Sequence, residues 1–148
     1  MTTFYICERG QAGKKDKNMD MPWTKLAPAD PNREYFALLS YLPLNNYRGL
    51  PTFLRFSLQV QGQLRNTPGV VGYSLRAKLL SRNFWTLSAW TDEKVLMEFV
   101  MKIPHAQAMK GLMPYMGPTK FTKWRVPGSA LPLRWDEAMR RAQQEEKS

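Results

Sequence analysis

The sequence has only one cysteine, Cys7, and only one histidine, His105. A single cysteine cannot close a disulfide within the chain, and one cysteine with one histidine cannot form the cluster that holds a zinc ion. No apolar run approaches the ~20 residues that span a bilayer, and residues 1–7 lack the basic-then-apolar order of a secretory signal. We therefore expect a cytoplasmic protein with no metal site and no membrane span.

Acidic residues are also scarce in this chain. Its 148 residues include 22 Lys and Arg against 12 Asp and Glu, a formal net charge of +10. Residues 35–128 hold twelve of the basic and three of the acidic residues, so this segment alone carries +9. A basic core attracts anions of several kinds, including nucleic acid, acidic lipid surfaces and carboxylated ligands such as haem. The charge alone therefore leaves the class of partner open.

The most informative local pattern runs through residues 83–105. Residues 83–90 carry aromatic and β-favouring side chains on both alternating faces, which predicts a strand buried on both sides. Asp92 is a suitable helix N-cap, and apolar residues follow it at helical spacing. Because Pro104 interrupts that helix, His105 is expected to open a second short helical segment.

The whole pattern predicts the order strand, helix, strand, strand, helix, strand. The strands cover residues 35–42, 70–80, 83–90 and 120–126, and the first helix covers residues 50–66. Within the second strand, Val71, Tyr73 and Leu75 are expected to share one face. This order predicts an α+β protein with the split β-α-β arrangement of the ferredoxin-like fold, in which helices cover one face of a four-stranded antiparallel sheet.

Three segments are predicted along the chain. Residues 1–33 are expected to be a mobile N-terminal extension, residues 34–128 the ferredoxin-like domain, and residues 129–148 a C-terminal tail with a short helix. Within the tail, Leu133, Trp135 and Met139 are the side chains expected to dock on the domain.

The first and third predicted strands carry large apolar side chains on both faces, whereas the predicted helices cover only one face. Leaving the other face in water would expose an apolar patch far larger than a few hundred Å². The sequence therefore predicts a homodimer in which a second copy covers this sheet face.

A family resemblance rests on two motifs. Residues 84–93 read Phe-Trp-Thr-Leu-Ser-Ala-Trp-Thr-Asp-Glu, and they are followed by Phe99 and by Pro-His-Ala-Gln-Ala-Met at residues 104–109. With these motifs, residues 35–126 resemble the antibiotic biosynthesis monooxygenase superfamily. The resemblance implies a dimeric α/β barrel built from two ferredoxin-like sheets. The superfamily includes cofactor-free oxygenases, haem-degrading enzymes and members without known activity, so the resemblance implies one fold and a range of functions.

The resemblance also implies a site between the helices and the sheet, where a small aromatic or apolar substrate is oxygenated without a tightly bound metal. His105 is the candidate base that takes the substrate proton, and Arg76 or Tyr41 is the candidate that faces the developing negative charge. Tyr41 is expected to line this site together with the predicted substrate-binding residues, which are Tyr73, Trp85, Phe99, Met109 and Met113.

Three alternatives stay open. His105 lies near Met109 and Met113 and is a candidate haem ligand, although haem-degrading members pair such a histidine with a first-strand asparagine, and residues 35–42 contain none. A non-enzymatic dimer that binds a small apolar ligand fits the same pattern. An RNA-recognition domain shares the strand and helix order, but residues 78–85 lack its glycine-containing signature, so no specific nucleic-acid partner is predicted.

Overall fold

The computed structural model describes residues 17–102 and 105–147, and at residues 105, 106, 108, 146 and 147 it describes the backbone only. In chain order the elements are β1 (Met19–Asp20), β2 (Thr24–Lys25), β3 (Glu34–Pro43), α1 (Leu50–Arg65), β4 (Val70–Lys78), β5 (Asn83–Trp90), α2 (Glu93–Val100), α3 (His105–Leu112), β6 (Lys120–Pro127) and α4 (Trp135–Lys147). No helix in these described ranges is both long enough and apolar enough to cross a bilayer.

All six strands belong to one antiparallel sheet with the order β1-β4-β5-β3-β6, and β2 also pairs with β4. The strands β3 to β6 have the ferredoxin-like arrangement, because β5 lies between β3 and β4, the two strands that α1 connects. The predicted fold class is confirmed. The four predicted strands agree with β3 to β6 to within two residues at each end.

The two additional strands, β1 and β2, come from the segment that was expected to be a mobile extension. Residues 1–16 of that segment lie outside the described residues, and the remainder pairs along the edge of β4. The Leu26 N–H donates to the Val71 carbonyl oxygen at 2.8 Å, and the Trp23 indole packs on Gly72, where a Cβ atom would lie 2.5 Å from the ring. Edge pairing satisfies backbone groups whatever the side chains are, so a polar sequence without a period does not reveal it.

The two faces of the sheet are covered by different helices. Helices α1, α2 and α3 cover one face, called here the inner face, where Phe36 and Trp90 of the sheet pack with Phe99 of α2. The other face, called here the outer face, is covered by α4. Helix α2 begins where its N-cap was predicted, because Asp92 Oδ1 accepts a hydrogen bond from the Val95 N–H at 2.9 Å.

Strand β4 contains an irregularity that changes which side chains face the helices. Its register against β5 shifts between Val70 and Gly72. Such a bulge inserts an extra residue and moves the following side chains to the opposite face. Val71 therefore packs on the outer face, whereas Tyr73 and Leu75 lie on the inner face. The prediction that these three side chains share one face is wrong for Val71.

The outer face is covered by the C-terminal segment of the same chain. Leu39 and Leu87 on this face are 2% and 0% exposed. Leu133, Trp135 and Met139, the tail residues expected to dock, all pack in the core cluster of this face. The homodimer prediction required an apolar face without cover, and in this structure α4 supplies that cover.

Candidate functional site

A cavity of about 500 Å³ lies between the inner face of the sheet and helices α1, α2 and α3. Its walls are mainly apolar: Phe53 and Phe56 line it from α1, and Leu96 and Phe99 line it from α2. The middle of its floor consists of small side chains on β3 and β5. These small side chains leave open a space that large apolar residues would otherwise fill.

The strand register arranges the floor of the cavity in two rows that cross the sheet. From β6 to β4, the first row is Phe121, Ser40, Thr86 and Leu75. In the same direction, the second row is Lys123, Leu38, Ser88 and Tyr73. All of these residues line the cavity, so the registers place three small hydroxyl side chains in the centre of a largely apolar floor.

Among the polar groups in the cavity, those of Ser88 and Tyr73 have protein partners. Ser88 Oγ accepts a hydrogen bond from the Trp90 indole N–H at 2.8 Å. The Tyr73 hydroxyl donates to Gln61 Oε1 at 3.2 Å, which links the sheet to α1. These bonds hold the second row and the wall of the cavity in a defined arrangement.

The hydroxyls of Ser40 and Thr86 differ from those two groups. Across the described part of the chain, neither side-chain hydroxyl has a hydrogen-bond partner. Within the same described residues, no fully buried side-chain oxygen is left unpaired, so both hydroxyls are open to the cavity space. The cavity therefore presents two adjacent hydrogen-bonding groups to whatever molecule occupies it.

The cavity opens to solvent between α2 and β6. Met97 and Phe121 line the cavity and are 50% and 49% exposed, so they mark this opening. Lys123 also lines it, and its Nζ lies 3.5 Å from Glu93 Oε2. Both partners of this ion pair are about half exposed, so the pair contributes little stability, and its main effect is to place charge at the opening.

The structure brings together three of the predicted substrate-binding residues. Tyr73, Phe99 and Met109 all line the cavity. Met113 does not line it and is 69% exposed. Phe99 belongs to the apolar residues at helical spacing after Asp92, and this spacing places it on the helix face that packs towards the sheet.

Tyr41, Trp85 and Arg76 lie on the outer face and do not line the cavity, contrary to the expectation for this site. The rings of Tyr41 and Trp85 are 5.4 Å apart, and the Tyr41 hydroxyl donates to Asn83 Oδ1 at 2.8 Å. Arg76 forms a bidentate ion pair with Asp20, at 2.6 and 2.9 Å. Side chains alternate between the faces of a strand, so these three residues point away from α1, α2 and α3.

The prediction for His105 cannot be compared with the cavity, because only its backbone is described, as the first residue of α3, and the predicted break at Pro104 lies outside the described residues. The haem alternative depends on the His105 side chain and stays a prediction. In the part of the chain that the structure describes, no group of three or more His, Cys, Asp or Glu side chains is arranged to hold a metal ion.

Ser40, Thr86 and Ser88 were not predicted as cavity residues. A signal for them does exist, because each is a small polar residue in a strand that is mostly apolar. A polar side chain in a strand buried on both faces requires a partner or an open space. The sequence pattern does not show whether a hydrogen-bond partner or an open space accommodates each of these hydroxyls.

No protein-family model matches this sequence, and no curated protein sequence matches it significantly. Solved structures do match. A protein from Lactobacillus acidophilus that is classed as a monooxygenase superposes with a TM-score of 0.59 and 8% identity, over 70% of this chain and 48% of that one. This chain therefore spans about half the length of that protein.

Two further structures match over most of their own length. A protein from Nitrosomonas europaea that is classed as an antibiotic biosynthesis monooxygenase has a TM-score of 0.56 and 12% identity, over 61% of this chain and 88% of that one. SnoaB, a cofactor-independent oxygenase from Streptomyces nogalater, has a TM-score of 0.52 and 11% identity, over 62% and 91%. At such identities the likeness establishes the fold, and it confirms at that level the resemblance found in the sequence.

Proposed function

We propose that this chain, which has the fold of the antibiotic biosynthesis monooxygenase superfamily, binds a small aromatic or apolar substrate in the cavity beneath α1, α2 and α3 and oxygenates it without a tightly bound metal. The cavity is the observation that carries the proposal. Its volume of about 500 Å³ falls within the ~300–1,000 Å³ of small-molecule sites, and apolar walls with a few hydroxyl groups are typical of such sites.

Oxygenation without a metal requires a substrate that ionises readily, because the substrate anion supplies the electrons that reduce dioxygen. The protein contributes to this chemistry by excluding water, by holding the ring against walls such as Phe53 and Phe99, and by stabilising the anion. His105 remains the proposed proton acceptor, since an unperturbed imidazole exchanges protons near neutral pH.

The cavity lies on the face of the sheet opposite α4. A second copy stacked on the outer face would have to displace α4, so the homodimer through this face is not part of the proposal.

The proposal is tested by filling the cavity from α1. Ser57 lines the cavity, whereas the next residue, Leu58, is 68% exposed. We expect Ser57→Trp to weaken the binding of 1-naphthol at least about tenfold, and we expect Leu58→Trp, the matched control, to leave binding unchanged. Binding is measured by fluorescence titration, and dioxygen uptake is then measured with a panel of phenols and quinols.

Equal affinity in the two variants would place the ligand outside this cavity. If wild-type protein neither binds 1-naphthol nor consumes dioxygen with any member of the panel, the proposed function is wrong. A Soret shift that appears when haem is added to wild type and is lost in His105→Ala would favour the haem alternative instead.

A further inference from the structure

Resting on the proposed function, we infer that Ser40 and Thr86 together form the anchor for a phenolic oxygen of the substrate and stabilise its anionic form. This inference narrows the substrate class from any small aromatic molecule to one with an ionisable ring hydroxyl. It also assigns the role of facing the negative charge to two strand hydroxyls on the inner face, rather than to Arg76 or Tyr41 on the outer face.

The sheet register brings these two side chains together. Ser40 on β3 and Thr86 on β5 are direct cross-strand partners. Directly opposed residues on one face have Cβ atoms about 4.5–5.5 Å apart, so both hydroxyls can reach one ligand atom placed between and above them. Both strands are central in the sheet, which gives the pair a rigid base.

The surroundings of the pair explain why it favours a ligand oxygen. Along its row, the neighbours are Phe121 and Leu75, and Leu38 and Leu42 flank Ser40 along β3 on the same face. None of these side chains can hydrogen-bond a hydroxyl. An oxygen that accepts from both hydroxyls therefore gives them a partner that these neighbours cannot supply.

An anionic oxygen suits this pair better than a neutral hydroxyl does. A phenolate oxygen accepts from both hydroxyls as a charged acceptor, whereas the oxygen of a neutral phenol is a weaker acceptor and its own proton needs a further partner. Hydrogen bonds to a charged acceptor are the stronger ones, and an apolar cavity strengthens them further. The pair therefore lowers the pKa of a bound phenol relative to the same cavity without the hydroxyls.

Ser88 is not part of the anchor in this inference. Its oxygen already accepts the Trp90 indole N–H at 2.8 Å, and it lies in the neighbouring row, opposite Leu38. Ser88 lies beside Thr86 along β5 and diagonal to Ser40, where it offers at most one further donor, and the anchor does not require it.

The test uses 4-nitrophenol, whose phenolate form alone absorbs in the visible range, so that its ionisation in the bound state can be read directly. Ser40→Ala, Thr86→Val and the double variant are compared with wild type over a pH series. Thr122→Val is the matched control, because Thr122 lies in the same sheet, is 7% exposed and has its hydroxyl on Glu145, away from the cavity. We expect the double variant to raise the pKa of the bound probe by about 1 unit.

A second probe separates hydrogen bonding from packing. 4-Nitroanisole has the same ring but cannot ionise, so its affinity should change less than twofold in every variant. The single variants keep the inference testable if the double variant folds poorly, since each should give part of the pKa change. The same bound pKa in wild type, both single variants and Thr122→Val would overturn the inference.

The outcomes for this inference and for the proposed function are distinguishable. If wild type binds both probes and the variants leave the bound pKa unchanged, the anchor is wrong while the cavity remains a ligand site. If wild type binds neither 4-nitrophenol nor 4-nitroanisole, the proposed function fails together with the anchor. If the variants raise the pKa of bound 4-nitrophenol and leave the affinity for 4-nitroanisole unchanged, the result supports both the hydroxyl anchor and the cavity as the ligand site.

Discussion

Replacing Ala138 by arginine should both destabilise the protein and expose its outer sheet face. Ala138 lies on α4 and is 0% exposed, in the core cluster that covers this face. No space exists there for a longer side chain. The variant must therefore either bury a guanidinium among apolar side chains or move α4 away from the sheet.

The contacts of α4 give the expected magnitude. Burying an unpaired charge costs several kcal/mol. Moving α4 away instead exposes Leu133, which costs about 2 kcal/mol, and breaks the bond from the Trp135 indole N–H to Ser74 Oγ (3.1 Å), which is worth about 1 kcal/mol. It also removes the stacking of Arg76 on Trp135 (4.8 Å), worth about 1 kcal/mol. Because moving α4 also exposes apolar side chains of the sheet, either route lowers the free energy of unfolding by at least about 4 kcal/mol, which lowers Tm by at least about 10 °C.

Two measurements check this prediction. Light scattering coupled to size exclusion gives the mass of each protein, and thermal unfolding followed by circular dichroism gives Tm. Gln143→Arg is the control, because it adds the same charge at an exposed position of α4. We expect wild type and Gln143→Arg to be monomers with similar Tm, and we expect Ala138→Arg to melt lower and to self-associate as the outer face becomes exposed.

A dimer of wild-type chains at micromolar concentration would refute the reasoning that α4 takes the place of a second copy. Equal Tm values for Ala138→Arg and Gln143→Arg would refute the reasoning in a different way, because they would mean that α4 does not pack on the sheet.

Two further predictions concern the edge of the sheet and the start of α4. Gly72→Ala should lower the free energy of unfolding by about 1–3 kcal/mol and speed proteolysis within residues 17–33, because its Cβ would lie 2.5 Å from the Trp23 indole. Gly62→Ala is the control: a Cβ there would meet nothing within 4 Å, so this variant should stabilise α1 by about 0.5–1 kcal/mol. The hydrogen bond from Arg140 is the main reason that the pKa of the Glu137 carboxyl lies below its usual value. A lowered folded-state pKa adds stability above the unfolded-state pKa, and this stability is lost as the pH falls through the folded-state pKa. The Tm difference between wild type and Glu137→Gln should therefore be largest near pH 7 and shrink as the pH falls below the usual range of a carboxyl pKa, and a difference that does not shrink on acidification would contradict this assignment.

Short-range patterns were enough to determine the ferredoxin-like order. Residues 83–90 alternate large side chains on both faces, and Asp92 follows at the point where the next helix needs an acceptor for its free N–H groups. Each of these features acts over a few residues, so it is the same in the sequence and in the folded chain. The apolar spacing after Asp92 placed Phe99 on the helix face that packs on the sheet for the same reason.

The face of the sheet on which a strand residue lies was harder to predict from the sequence, because one extra residue in a strand moves the following side chains to the opposite face. The bulge between Val70 and Gly72 separates Val71 from Tyr73, and no local composition marks it apart from the glycine. The site prediction placed Tyr41 and Trp85 beside Tyr73, although the first two lie on the outer face, which α4 covers.

Coverage of the outer face was decided by tertiary structure. The sequence correctly determined that this face is apolar and must be covered, and it also contained a tail with Leu133 and Trp135 able to dock. It could not determine whether the cover is a second copy or the tail, because both bury the same apolar surface. Likewise, Ser40 and Thr86 stand 46 positions apart in the sequence, and only the register of two antiparallel strands makes them neighbours. Pairing between distant segments depends on backbone hydrogen bonds and packing that form only when the whole sheet assembles, so the hydroxyl pair exists in the fold and not in any local stretch of the chain.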